Sequence, residues 1–180
     1  MMGRTPLGDD NTAFLEATLP AMDLVYNLAR RCVLPGSDVE DLVQETYLHA
    51  LVGWRAHRRP DQVGAWLATI CLNLARSDFR RRQRRPTEVL AADPGGDGAS
   101  TVDPAGQALG RLQREAISKA IWELPDEQRI AVALCDLCGF SAAEVARITR
   151  CPRGTVLSRV HRGRKALAAT LASEVTDRAP

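Results

Sequence analysis

Aromatic side chains are scarce in this chain, with three tryptophans, two tyrosines and three phenylalanines among 180 residues. So few rings cannot build a surface that binds single strands by stacking base upon base. No apolar run reaches the roughly 18 residues of a membrane-spanning helix, and the opening MMGRTPLGDDNTAF lacks the apolar stretch of a secretory leader. A cytoplasmic protein with no membrane span is expected. His49, His57 and His161 lie far apart, with neither paired carboxylates nor a nucleophile motif around them. The glycine cluster Gly95, Gly96 and Gly98 lacks the lysine of a phosphate-binding loop. An enzyme is therefore not expected, and neither is a cofactor or a metal site.

The five cysteines, Cys32, Cys71, Cys135, Cys138 and Cys151, are odd in number and scattered, unlike a secreted disulfide framework. Cys135 and Cys138 form a C-x-x-C, which raises a redox or zinc switch. In a helix, however, cysteines at i and i+3 more often pack as small hydrophobes, and no second ligand pair with zinc-like spacing follows. No alternating apolar pattern of a strand appears anywhere, so the fold class is all-α.

What the chain does contain is a run of helical signals ending in a basic segment. Ser141 and Glu144 have the spacing of a capping box, which opens a helix whose buried side is Val145, Ala146 and Ile148. Thr149 to Pro152 breaks it, and Pro152 suits the first turn of another helix. In that second helix Val156, Val160, Gly163 and Leu167 make one apolar stripe, with Gly163 allowing close approach. Arg153, Ser158, Arg159, His161, Arg162, Arg164 and Lys165 lie off the stripe, and no acidic residue occurs from Ile148 to Lys165. The pattern is a helix-turn-helix with a face suited to phosphates and base edges. The competing reading is a solvated basic face on an ordinary helix pair.

In chain order, residues 1–11 are polar and expected to fray. Thr12 to Val33 reads as one helix or a pair kinked at Pro20. Ser37 and Glu40 form a further capping box, opening a helix from Asp38 to Val52. Val39, Leu42, Val43, Thr46 and Ala50 form its buried face, and Asp38, Asp41, Gln44 and Glu45 an acidic one. The macrodipole accounts for acids in the first turn but not for Glu45, so that face is a candidate dock for a basic partner. Gly53 to Asp61 reads as an arginine-rich loop. Val63 to Arg82 reads as a long helix burying Val63, Trp66, Leu67, Ile70, Cys71, Leu74 and Phe79, and its basic end, Arg80 to Arg85, is too dense for dipole compensation alone.

Residues 86–110 then turn to proline, glycine, aspartate and small side chains, the profile of a flexible linker. Past it, Leu112, Ala116, Lys119, Ala120 and Trp122 form a helix closed by Leu124-Pro125. Pro125 with Asp126 and Glu127 opens the next, which ends near Gly139. The expected architecture is two small helical domains, residues 1–85 and 111–180, joined by a flexible linker at 86–110.

With both halves read, the order of parts resembles the extracytoplasmic-function (ECF) sigma factors, compact bacterial sigma subunits with only the second and fourth sigma regions. Asp38-Val-Glu-Asp-Leu-Val-Gln-Glu-Thr-Tyr47 resembles their polymerase-binding helix, and Ala65-Trp-Leu-Ala-Thr-Ile-Cys-Leu-Asn-Leu-Ala75 with the arginine run their promoter-melting helix. Leu124-Pro-Asp-Glu-Gln-Arg129 and Gly154-Thr-Val-Leu-Ser-Arg159 through Arg164 resemble their minus-35 domain. The resemblance implies an alternative sigma factor that binds core RNA polymerase and directs initiation at specific promoters. The alternative from the same DNA-reading half is a stand-alone helix-turn-helix regulator.

By the same resemblance, Asp38, Asp41, Leu42, Gln44 and Glu45 would bind the clamp helices of core polymerase. Trp54, Arg55, His57 and Arg58 would hold a flipped minus-10 base, with Asn73, Arg76 and Arg80 on the adjacent DNA. Arg153, Thr155, Leu157, Ser158, His161, Arg162 and Lys165 would read the minus-35 element. The linker, with Glu88, Asp93, Asp97 and Asp103, would run through the polymerase toward the RNA exit path, and an anti-sigma protein would hold the chain inactive. Two positions depart from the family. Leu157 stands where a basic residue is frequent, so direct readout there is either lost or replaced by contact with a thymine methyl. Arg150 occupies a turn position where glycine is common.

Overall fold

The computed structural model describes residues 7–32, 38–56, 59–84 and 116–177, and every regular element among them is helical. They form two compact units, one holding α1 to α4 and the other α5, α6, α8 and most of α7.

In the first unit α1 (Leu7–Thr18) begins within the segment expected to fray and is followed by a 3-10 turn, Leu19–Ala21, then α2 (Met22–Cys32). The kink has a local cause. Pro20 has no N–H to continue the helical ladder, and the hydroxyl of the fully buried Thr18 donates to the Phe14 carbonyl at 2.8 Å. The freed carbonyl of Thr18 accepts from the Tyr47 hydroxyl at 3.1 Å, so a side chain of α3 closes the end of α1.

Helix α3 (Val39–Arg55) is capped by Asp38, whose carboxylate accepts from the N–H groups of Glu40 and Asp41. The cap is thus one residue later than a Ser37 box places it, and Ser37 lies outside the described residues. The helix also continues to Arg55, so Gly53 and Trp54 are helical and not part of a loop. Leu42, Val43, Thr46, Ala50 and Trp54 face inward. Helix α4 (Val63–Arg84) packs on α2 and α3 through Leu67, Ala68, Cys71 and Leu72. Where α4 crosses α3, a Cβ on Gly53 would stand 3.1 Å from the Trp66 ring, so the glycine permits that contact.

In the second unit α5 (residues 116–123) meets α6 (Asp126–Val132) at a corner built around Arg129. Its side chain is 6 % exposed. The guanidinium donates to the carbonyls of Trp122 and Leu124 at 3.3 and 3.2 Å, pairs with Asp126, and stacks 4.5 Å from the centre of the Trp122 ring. A planar, permanently charged fork is the side chain that can satisfy two helix-end carbonyls and a carboxylate together.

Helix α6 runs on into a widened π turn, Ala133–Leu137, that the sequence pattern does not announce, and ends at Gly139 with φ of 73°. Helices α7 (Ala142–Thr149) and α8 (Arg153–Asp177) follow. On α8 the apolar stripe buries Val156, Val160 and Gly163 as its spacing predicts, against α6. A Cβ on Gly163 would stand 2.7 Å from Val132 Cγ2, closer than two carbons tolerate, which makes this glycine a spacing device between the two helices.

A double-mutant cycle measures that contact. Gly163→Ala is expected to cost the second domain about 1 kcal/mol net, overpacking outweighing the gain in helix propensity. Chemical denaturation of Gly163→Ala in a Val132→Ala background is expected to show a smaller cost or none, because the smaller partner makes room.

Candidate nucleic-acid and polymerase interfaces

The helix-turn-helix is assembled by local chemistry. Ser141 and Glu144 form the capping box: the Glu144 N–H donates to Ser141 Oγ at 3.3 Å and the Ser141 N–H to Glu144 Oε2 at 2.8 Å. The turn closes as the Cys151 N–H donates to the Ala146 carbonyl at 3.1 Å, the six-to-one bond of a helix end whose preceding residue is left-handed. That residue is Arg150, with φ of 55°. The position wants glycine for a steric reason and carries arginine.

Helix α8 divides its cations between two jobs. Arg159 is half-buried, pairs with Glu127 of α6 and donates to Cys151 Sγ at 3.4 Å. Arg164 is exposed but forks onto both carboxylate oxygens of Asp136, which holds its guanidinium firmly in the charged form. These two are therefore removed from the uniform basic surface that spacing implies. Arg153, Arg162 and Lys165 are exposed and have no carboxylate partner among the described residues. With Leu157, Ser158 and His161 they line the outer side of α8, while Thr155 is half-buried. The Ser158 hydroxyl donates to the Thr155 carbonyl at 2.9 Å and Arg162 Nε to the Ser158 carbonyl at 3.3 Å.

In the first unit the acidic face of α3 is real but differently composed. Asp38 is exposed and engaged as the helix cap. Asp41, Gln44 and Glu45 are exposed, whereas Leu42 is buried in the core and is not a surface residue. Leu48 and Val52 continue the same helical face at 63 % and 69 % exposure. Sequence reading missed both, although their spacing from Asp41 and Glu45 on a helix already put them on that stripe.

The minus-10 candidates separate in the same way. Trp54 is 6 % exposed, packed edge-on against Phe14 with ring centres 5.8 Å apart. Arg59 lies over its ring at 5.3 Å and is held by Asp10 at 3.0 Å. The indole is thus a core residue, not an open platform for a base, and its Nε1 is buried without an acceptor among the described residues. Arg55 is exposed and donates to Asn11 Oδ1. His57 and Arg58 lie outside the described residues. Asn73, Arg76 and Arg80 sit at i, i+3 and i+7 of α4, the first and last exposed and Arg76 half-buried, which puts them along one side of the helix. Arg80 bonds to Ser77, and Arg81 beside it pairs with Asp78.

Residues 21–85 match the family Sigma-70 region 2, and residues 114–167 match Sigma-70, region 4. The ECF RNA polymerase sigma factor EcfG of Rhodopseudomonas palustris is 41 % identical over 132 residues, 73 % of this chain and 70 % of that one. The chain belongs to the ECF sigma factors. The ECF RNA polymerase sigma-E factor of Escherichia coli K12 is 32 % identical over 165 residues, 88 % of this chain and 86 % of its own length. Among solved structures, the sigma factor RpoE of Bartonella quintana in complex with the anti-sigma factor NepR superposes with a TM-score of 0.70 at 28 % identity, covering 86 % of this chain and 93 % of that one. CnrH in complex with the cytosolic domain of CnrY shares the fold at 23 % identity and a TM-score of 0.64, over 91 % of this chain and 90 % of that one.

The two cysteines of the C-x-x-C are free and half-buried. Burial pushes the Cys138 thiol up to about 11 and raises Cys135, to which Asp136 adds. Both shifts disfavour the thiolate, the reactive form of cysteine. Among the described residues no cluster of His, Cys, Asp or Glu is placed to hold a metal ion, and no helix is long and apolar enough to cross a membrane.

The left-handed turn gives a stability prediction. A side chain in this conformation costs about 1 to 2 kcal/mol, and glycine returns about 0.5 to 1 of that through its greater freedom when unfolded. Arg150→Gly is therefore expected to stabilise the second domain by about 0.5 to 1 kcal/mol in denaturant titrations. A loss of stability would mean that the Arg150 side chain makes a compensating contact.

Proposed function

We propose that this sigma factor divides its work by domain. Residues 1–85 dock on core polymerase and engage the minus-10 region, 86–110 tether, and 111–180 read the minus-35 element. The observation that carries this is the two-sided character of α8. Its inner stripe is buried on α6 and two of its arginines are pinned to carboxylates, while Arg153, Arg162 and Lys165 stand on the outside with no carboxylate partner among the described residues. A helix of this kind following a tight turn is suited to the major groove, its cations meeting phosphate and its polar side chains meeting base edges.

The face of α3 that runs from Asp41 and Glu45 to Leu48 and Val52 is the polymerase dock. Its acidic upper half gives orientation toward a basic surface, and its apolar lower half gives affinity by leaving water. Asn73, Arg76 and Arg80 of α4 meet DNA next to the minus-10 element. The chain works in the cytoplasm without catalysis of its own. Its likeness to a sigma factor crystallised with an anti-sigma protein supports an anti-sigma partner here as well.

The test is run-off transcription with purified core polymerase on a genomic library. Promoter-dependent transcripts that require the chain are expected, and their absence would overturn the proposal. Reversing Asp41 and Glu45 together to lysine is expected to abolish polymerase capture. Leu48→Asp or Val52→Asp, at exposed positions where folding is not at stake, is expected to weaken capture about tenfold to a hundredfold, the value of one buried aliphatic side chain. Unchanged capture by all three would place the dock elsewhere.

For the DNA reader, Arg162→Ala is expected to cost about 1 to 3 kcal/mol in duplex binding and to relax preference at one base pair. An equal loss on all sequences, with a shallower salt dependence, would assign Arg162 to phosphate.

A further inference from the structure

Leu157 is the one large apolar side chain exposed on the described part of α8, at 50 %. It stands near the start of the helix, where recognition helices meet base edges. At i−3 in the preceding turn Gly154 has no side chain, and the space around its Cβ position is open. The neighbouring Ser158 hydroxyl is turned back onto the Thr155 carbonyl. One turn after the exposed Arg153, the reader therefore presents an apolar group outward, in a region where polar side chains would be expected.

Its surroundings decide what covers it. Arg153, Arg162 and Lys165 are exposed on the same helix, and no acidic residue occurs between Ile148 and Lys165. Such a rim attracts a polyanion and repels a basic surface, and an apolar partner would have to strip water from its cations. In the major groove of DNA the bases present hydrogen-bonding atoms and a single apolar group, the C5 methyl of thymine.

We propose that Leu157 is a specificity-determining residue that selects thymine at one position of the minus-35 element through its methyl group. This rests on α8 being the minus-35 reader. It also distinguishes the chain from a reader with a basic side chain at this position, which would favour guanine.

Replacing thymine by deoxyuridine removes that methyl and nothing else. The full chain, alone and assembled with core RNA polymerase, is used to select a duplex from a randomised pool, and each thymine of the selected duplex is then replaced singly. Wild type is expected to bind about fourfold more weakly when one particular thymine becomes deoxyuridine, the value of one methyl group removed from water. Leu157→Ala is expected to bind both forms equally, and Leu157→Arg to shift the choice at that position to guanine. Equal binding of thymine and deoxyuridine at every position would overturn the proposal and leave Leu157 as a contact for a protein. So would full discrimination retained by Leu157→Ala. If the pool yields no preferred sequence at all, promoter reading by this domain fails with it, an outcome distinct from a selected sequence that is blind to the methyl.

Discussion

The close approach of α8 to α6 is the contact on which the second domain depends. A helix offered to DNA must keep its outer face free and still be held firmly, so all of its fixing has to come from the other side. Gly163 lets the backbone of α8 settle where a methyl group would collide with Val132. Arg159 and Arg164 then tie the flanks of α8 to Glu127 and Asp136. With such exposed carboxylate partners, pairs of this kind contribute little stability each, about 0 to 1 kcal/mol. Their value is orientation: they set the rotation of α8 about its own axis, and with it which side chains face outward. The chain of support continues through α6, which is fixed to α5 by the buried Arg129.

The first domain solves a similar problem with different materials. Helix α3 turns Leu42, Thr46, Ala50 and Trp54 inward and leaves Asp41, Glu45, Leu48 and Val52 outside. Phe14 touches both Tyr47 and Trp54 edge-on, and the Tyr47 hydroxyl ends α1, so one aromatic cluster holds α1 on α3. Aromatics are scarce in the whole chain, and three of the eight rings are spent at this one junction. Arg59 and Asp10 close it from the solvent side. The arginine-rich segment after α3 therefore supplies structure as well as charge.

What the sequence made legible was whatever period and local caps encode. The helical class, the apolar stripe of Val156, Val160 and Gly163, and the Ser141 and Glu144 box all depend on neighbours within four residues. What it hid were facts of long-range pairing. That Arg159 and Arg164 are held by α6 and the π turn depends on which acids come near, and no spacing along α8 reveals it. The resemblance implies interface roles for Leu42 and Trp54, but burial on α3 is decided by its rotation against α2 and α4. Asp38 rather than Ser37 became the cap because the last non-helical residue is one position later than the box pattern implies. The π turn after α6 left no signature at all.

Net charge illustrates the same distinction between total and arrangement. A formal value of +2 would predict only weak attraction to DNA. Acids are placed against arginines at Asp10, Asp78, Asp126, Glu127 and Asp136, where they orient side chains inside a domain. On α8 the pairing of Arg159 and Arg164 leaves Arg153, Arg162 and Lys165 as exposed cations with no carboxylate partner among the described residues. A near-neutral chain can in this way present a basic face and an acidic one in separate domains. The two would then be drawn to different partners, nucleic acid and a basic protein surface, without one cancelling the other beyond about a Debye length, roughly 8 to 10 Å at physiological salt.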